Sequence, residues 1–208
     1  MFKTILFDVD GTLIDTAYVM THSLQKTLLE EMQLSVEIED LNYILGIPGR
    51  AALEEFTADE AELEKLLKAW NKNVLLYAEH VSVYPEIEEI LKKLKAAGIK
   101  MGVVTSKTSN EMKTEFDIFN LNHYFDVFIT ASDTENHKPH PEPIQKAIDL
   151  LSVEKGETIY IGDSLYDMKS AKAYGIKFAV ANWGALDLAM FTEADYFLKK
   201  PSDLLNLI

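Results

Sequence analysis

Short apolar runs punctuate this chain and read as buried parallel strands: Thr4–Phe7, Met101–Val104, Val127–Ile129, Thr158–Ile161 and Phe178–Val180. Between them the apolar period lengthens. Ile87, Ile90, Leu91, Leu94 and Ala97 follow i, i+3, i+4, i+7 spacing, and Gly98 ends that run. Ile144, Ala147, Ile148 and Leu151 repeat the pattern after a proline-rich stretch. Strands alternating with helices predict an α/β core built on a mostly parallel sheet.

One stretch departs from this alternation. From Asp15 to His80 no strand-like run occurs, and the spacing is helical throughout. Val19, Met20, Leu24 and Leu28 mark one helix; Leu63, Leu66, Leu67, Trp70 and Val74 mark another. Asp59 suits the N-cap of the second, with Glu62 three positions on. Gly46-Ile47-Pro48-Gly49 is a turn between helices. Residues 1–14 and 81–208 are therefore expected to form the α/β core, and 15–80 a helical insertion.

Composition narrows the reading. The 208 residues suffice for one core with a modest insertion. There is no cysteine, which excludes disulfides and thiolate metal sites and fits a reducing, cytoplasmic location. MFKTILFD lacks the shape of a signal peptide, and no run of about 18 apolar residues suggests a membrane span. A formal charge of −14 argues against nucleic acid or anionic lipid as partner. An anionic small substrate would need a local cation.

The chemistry lies where the strands end, since open α/β sheets bind ligands beyond the carboxyl ends of their strands. The first ends in Asp8 and Asp10, the second in Thr105-Ser106-Lys107, and TIYI in Gly162-Asp163 with Asp167 following. The stretch after VFIT leads to Lys138, between His137 and Pro139. Parallel strands would gather these groups at one edge. Two like unit charges 4 Å apart cost about 4 kcal/mol at an effective dielectric near 20. A hard divalent cation such as Mg2+ would relieve that, and Lys138, a hydroxyl and backbone amides would suit a phosphoryl group. His137 and His140 read as loop residues, Trp70 as core of the insertion, and the acidic residues from Asp59 to Glu64 as a solvated helix face.

DVDGT, VVTSK, Lys138-Pro139 and GDSLYD, in this order, resemble the four motifs of the haloacid dehalogenase-like hydrolase superfamily. KPHPEP and VANWGALD further resemble its phosphoglycolate phosphatase-like branch, and the insertion resembles the family's helical cap. The resemblance implies a doubly wound, Rossmann-like parallel sheet core with an inserted helical cap domain. It implies Asp8 as nucleophile, forming an aspartyl-phosphate, and Asp10 as the acid that becomes the base. Mg2+ would be held by Asp8, Asp163 and the Asp10 carbonyl, with Asp167 supporting the metal site from behind. Thr105 and Lys138 would bind the transferring phosphoryl group, helped by Gly11, Thr12 and Ser106.

Arg50, the only arginine, could bind a substrate carboxylate or sit at the surface. The expected activity is Mg2+-dependent hydrolysis of a small phosphorylated metabolite, phosphoglycolate first. The rivals are a pyrophosphatase, a phosphosugar mutase of the same superfamily and a non-catalytic binding protein. The sequence leaves monomer and dimer equally open.

Overall fold

Six parallel strands order the molecule. The computed structural model describes all residues, 1–208. They are β1 (Thr4–Phe7), β4 (Lys100–Val104), β5 (Val127–Ile129), β6 (Thr158–Gly162), β7 (Lys177–Ala181) and β8 (Tyr196–Leu198), in the order β5-β4-β1-β6-β7-β8. A two-stranded ribbon pairs β2 (Ile14–Asp15) with β3 (Ser82–Val83). Helices α1 (Ala17–Met32), α2 (Gly49–Leu53) and α3 (Glu60–Leu76) lie between β2 and β3. Helices α4 (Ile87–Ala96), α5 (Ser109–Glu111), α6 (Glu142–Leu151) and α7 (Leu165–Tyr174) alternate with the strands of the sheet. This is a Rossmann-like α/β fold.

β1 is fully buried along its length, which is why TILF carries no alternation. It pairs in parallel with β4 on one side and β6 on the other. The chain therefore runs outward from β1 through β4 and β5, then returns to β6 on the other side. That reversal makes the carboxyl end of β1 the switch point of the sheet, flanked by the ends of β4 and β6, where open α/β sheets bind ligands. Leu6, Tyr160, Ile144, Ile148 and Phe178 belong to the core cluster of this sheet. Burying a side chain of this size contributes about 1.5–3 kcal/mol.

The chain divides into two compact units, Met1–Ile14 with Val83–Ile208, and Asp15–Ser82. The second has its own core, in which Leu24, Leu28, Leu63, Leu66 and Trp70 pack together. The Trp70 indole donates to Ser23 Oγ at 2.8 Å, so its one polar atom is satisfied. Asp59 caps α3 by accepting from Glu62 N at 2.8 Å. The Glu62 carboxylate turns instead to Thr57 Oγ1, 2.7 Å away, so no reciprocal capping box forms. No helix is long and apolar enough to cross a membrane.

Candidate active site

The loop after β1 is bent back on itself. Thr12, Leu13 and Ile14 all direct their amides to Val9 O, and Gly11 N donates to Ile14 O. Gly11 sits at φ +70°, and a Cβ there would come 2.0 Å from Asp163 Oδ2. Only glycine lets this loop meet the end of β6 so closely. The loop is secured twice more: Thr12 Oγ1 donates to Asp163 Oδ1 at 2.9 Å, and the Trp183 indole donates to Thr12 O at 3.0 Å. Gly184 presses on the same turn, where a Cβ would meet Gly11 O.

Asp8, Asp163 and Asp167 are all buried, and one carboxylate oxygen from each lies within 4.8 Å of the other two. Lys138 Nζ stands among them, 3.0 Å from Asp8 Oδ1, 2.6 Å from Asp167 Oδ1 and 3.1 Å from the Tyr160 hydroxyl. Asp8 Oδ1 takes no aligned hydrogen bond beyond that ion pair. Burial, then Asp167 and Asp10, push the Asp8 carboxyl up to about 7 against the pull of Lys138. Burial, then Asp167 and Asp8, hold Asp163 well above its ordinary range. For Lys138, burial works against the charge, but Asp167 and Asp8 outweigh it and raise the pKa.

Asp167 has a different surrounding. Its Oδ2 accepts from Ser164 N and Ser164 Oγ, at 3.1 and 2.7 Å. Its Oδ1 faces Lys138 Nζ and Tyr160 OH, at 2.6 and 2.9 Å. Three donors are its own, and the single Tyr160 hydroxyl proton is shared between Asp167 Oδ1 and Val104 O. Asp167 thus closes the capping box of α7 and at the same time anchors Lys138.

This arrangement fits a hard divalent cation. The available donors are all oxygens. One ammonium stands against three buried carboxylates, and the two that Lys138 leaves undercompensated, Asp8 and Asp163, are those whose pKa values are driven up. A divalent ion beside them would reverse that shift.

The remaining predicted residues separate into two groups. Thr105 follows β4, is buried, and accepts from Lys107 N at 3.2 Å; the neighbouring Ser106 hydroxyl is buried without a partner. Asp10 meets Lys107 Nζ at 3.1 Å. Asp8, Asp10, Gly11, Thr12, Thr105, Ser106, Lys138, Asp163 and Asp167 all belong to the unit that carries the sheet. Arg50 lies in the other unit, on α2. Its side chain is 43% exposed; it hydrogen-bonds Glu60, with Glu54 at 3.7 Å and Glu64 at 3.9 Å. Sequence reasoning did not single out Tyr160 or Glu115. Tyr160 OH also touches Val104 O at 2.7 Å, and Glu115 holds Lys107 Nζ at 2.5 Å.

A family model described as haloacid dehalogenase-like hydrolase matches residues 5–181. The chain belongs to that family. It is 34% identical over 211 residues to a pyrophosphatase PpaX of Bacillus cereus, covering 99% of this chain and 96% of the relative. It is 34% identical over 209 residues to a phosphoglycolate phosphatase of Aquifex aeolicus, with coverage of 99% and 96%. A solved haloacid dehalogenase-like hydrolase of Streptococcus pneumoniae has the same fold, with a TM-score of 0.85 at 20% identity, covering 99% of this chain and 97% of that one. Among the haloacid dehalogenase-like hydrolases, then, this chain stands with those of the phosphoglycolate phosphatase-like branch.

Proposed function

We propose that this hydrolase is a Mg2+-dependent phosphatase that cleaves small phosphomonoesters through an aspartyl-phosphate on Asp8. The observation that carries the reading is the buried Asp8–Lys138–Asp163 cluster at the carboxyl end of β1, short of positive charge by its own residues. Asp8, Asp163 and the Asp10 carbonyl would hold the ion, and Asp167, already engaged by Ser164 and Lys138, would act through Lys138. When bound, Mg2+ supplies charge compensation and orientation for phosphate oxygens.

In the first step an Asp8 oxygen attacks phosphorus while the ester bond breaks. Asp10 gives its proton to the departing oxygen. In the second, water attacks the phosphoryl group on Asp8, loses a proton to Asp10, and phosphate leaves with Asp8 restored. Lys138 neutralises oxygens of the transferring group in a site that its own burial keeps poor in water. The Thr105 and Ser106 hydroxyls supply neutral donors, whereas the Gly11 and Thr12 amides, expected to help, are already given to Ile14 O and Val9 O and serve the turn instead. Ser106 Oγ, buried and unpartnered, supports that use.

Phosphoglycolate is our first substrate, on the strength of the relative that carries that activity in its name. Pyrophosphate is the second reading, favoured by the Bacillus cereus relative. The helical unit, inserted directly after the Asp8–Asp10 loop, is where we place leaving-group choice. The test is phosphate release from phosphoglycolate, pyrophosphate and sugar phosphates, with Mg2+ and with chelator. Activity in chelator equal to that in Mg2+ refutes the metal assignment. Silence across the panel refutes the phosphatase reading.

A further inference from the structure

We infer that Lys107, clamped by Glu115, is the positioning residue for Asp10; this rests on the acid–base role proposed for Asp10 above. Lys107 is only 7% exposed, and its Nζ lies 3.1 Å from Asp10 Oδ1 and 2.5 Å from Glu115 Oε2. Two carboxylates thus hold the Lys107 head between them.

Three observations set the pair apart from an incidental ion pair. First, Asp10 Oδ1 has no aligned hydrogen bond, so Lys107 is the group that locates it. Second, the Lys107 backbone is anchored on both sides: its N–H donates to Thr105 Oγ1 at 3.2 Å, and its carbonyl accepts from Ala131 N at 2.8 Å. The loop that offers Thr105 to a phosphoryl group therefore also fixes the stem of Lys107. Third, Glu115 reaches Lys107 from a π-helical turn, Met112–Phe116, entered from the Thr108–Glu111 capping box. Such turns are rare and concentrate at functional sites. Buried ion pairs add little net stability, so geometry is the better reason for keeping this one.

The two aspartates of the first loop thus each have a lysine of their own. Lys138 faces Asp8, and Lys107 faces Asp10. Glu115 keeps the second ammonium on the Asp10 side. One Asp10 oxygen is held by Lys107, and the other is left to give and take the proton.

The experiment separates positioning of the acid from a general loss of structure. kcat/KM reports events up to departure of the leaving group. It is measured at saturating Mg2+ for an alkyl phosphate, which needs a proton on its leaving oxygen, and for 2,4-dinitrophenyl phosphate, which does not. Asp10→Asn should lose on the order of 10^2–10^4 on the alkyl ester and little on the aryl ester. Lys107→Met should show the same split, about 10–100-fold against under about threefold. The double variant Lys107→Met with Glu115→Met removes both charges, guards against a fold broken by an unpaired carboxylate, and should show that split too. Equal losses on both esters in the single and double variants, or no loss on either, with Asp10→Asn still split, overturn the inference alone. No split in Asp10→Asn overturns the acid–base reading and the inference with it.

Discussion

Lys138 and Arg50 are both cations set among carboxylates, and they sit in different units of the molecule. Lys138 is 2% exposed between Asp8 and Asp167. Arg50 is 43% exposed among Glu54, Glu60 and Glu64. The residue types are nearly the same; the solvent is not. Around Arg50 water screens each pair, and exposed pairs of this kind contribute little. Around Lys138 no water repays the lost hydration, so each charge depends on its neighbours. The buried cluster is short of positive charge by its own residues; the exposed one is screened by water.

The sharpest way to break the buried cluster is Asp8→Asn. Phosphate release should fall to the limit of detection, because the amide is a poor nucleophile and a poor cation ligand. Enzymes accelerate phosphomonoester hydrolysis by up to about 10^21, so no background hides the loss. Sustained turnover by the purified variant would rule out the covalent route.

Lys138→Ala comes next. Turnover should drop on the order of 10^2–10^3, as for removal of one oxyanion donor. Leaving Asp8 and Asp167 buried without their partner should also destabilise the fold by about 3–5 kcal/mol, read from denaturant titration. A near-normal rate would move the phosphoryl-binding role to another group.

The pH response of the metal-free protein sharpens the comparison. Asp8 binds its proton more tightly folded, at about 7, than at its ordinary value of 3.8. Its contribution to stability is therefore complete below about 4 and is lost as pH rises through about 7. Melting in chelator should show this fall, Mg2+ should raise the midpoint more at pH 8 than at pH 5, and Asp8→Asn should flatten the difference. An equal Mg2+ effect at both pH values would detach the ion from Asp8.

Tyr160→Phe should act more mildly. It keeps the packed ring and removes the hydroxyl shared by Lys138, Asp167 and Val104 O. About 1–2 kcal/mol of stability should go with it, measured by denaturant titration. Arg50→Ala stands at the bottom of the scale: the melting midpoint and hydrolysis of every ester should be unchanged. A loss confined to a carboxylate-bearing substrate would show that Arg50 leaves its glutamates to bind ligand.

Buried strands announced themselves because both faces are covered: TILF, GVV and TIYI are near-continuous apolar runs ending at β1, β4 and β6. β8 did not, since it is a three-residue edge strand with Tyr196 and Phe197 partly open to solvent. β2 and β3 have two residues each, too few for any period. Asp8, Asp10 and Asp163 were legible as polar breaks at strand ends. Tyr160 was hidden inside an apolar run, although a tyrosine in a fully buried strand needs a partner for its hydroxyl. Glu115 was hidden because a π turn follows neither helical nor strand spacing. Lys107 could be quoted as part of VVTSK, but only the fold brings it to Asp10.

The indole of Trp183, donating to Thr12 O, gives the molecule a built-in optical probe. The chain has two tryptophans, and each unit contains one. Trp70 is 2% exposed in the helical core and should emit at shorter wavelength, whereas Trp183 is half-buried against the loop that carries Asp8 and Asp10. With Trp70→Phe, the emission of Trp183 should change when Mg2+ and orthovanadate are added. With Trp183→Phe, the remaining signal should follow unfolding of the helical unit. Two single substitutions would thus let one fluorimeter record ligation and denaturation as separate signals.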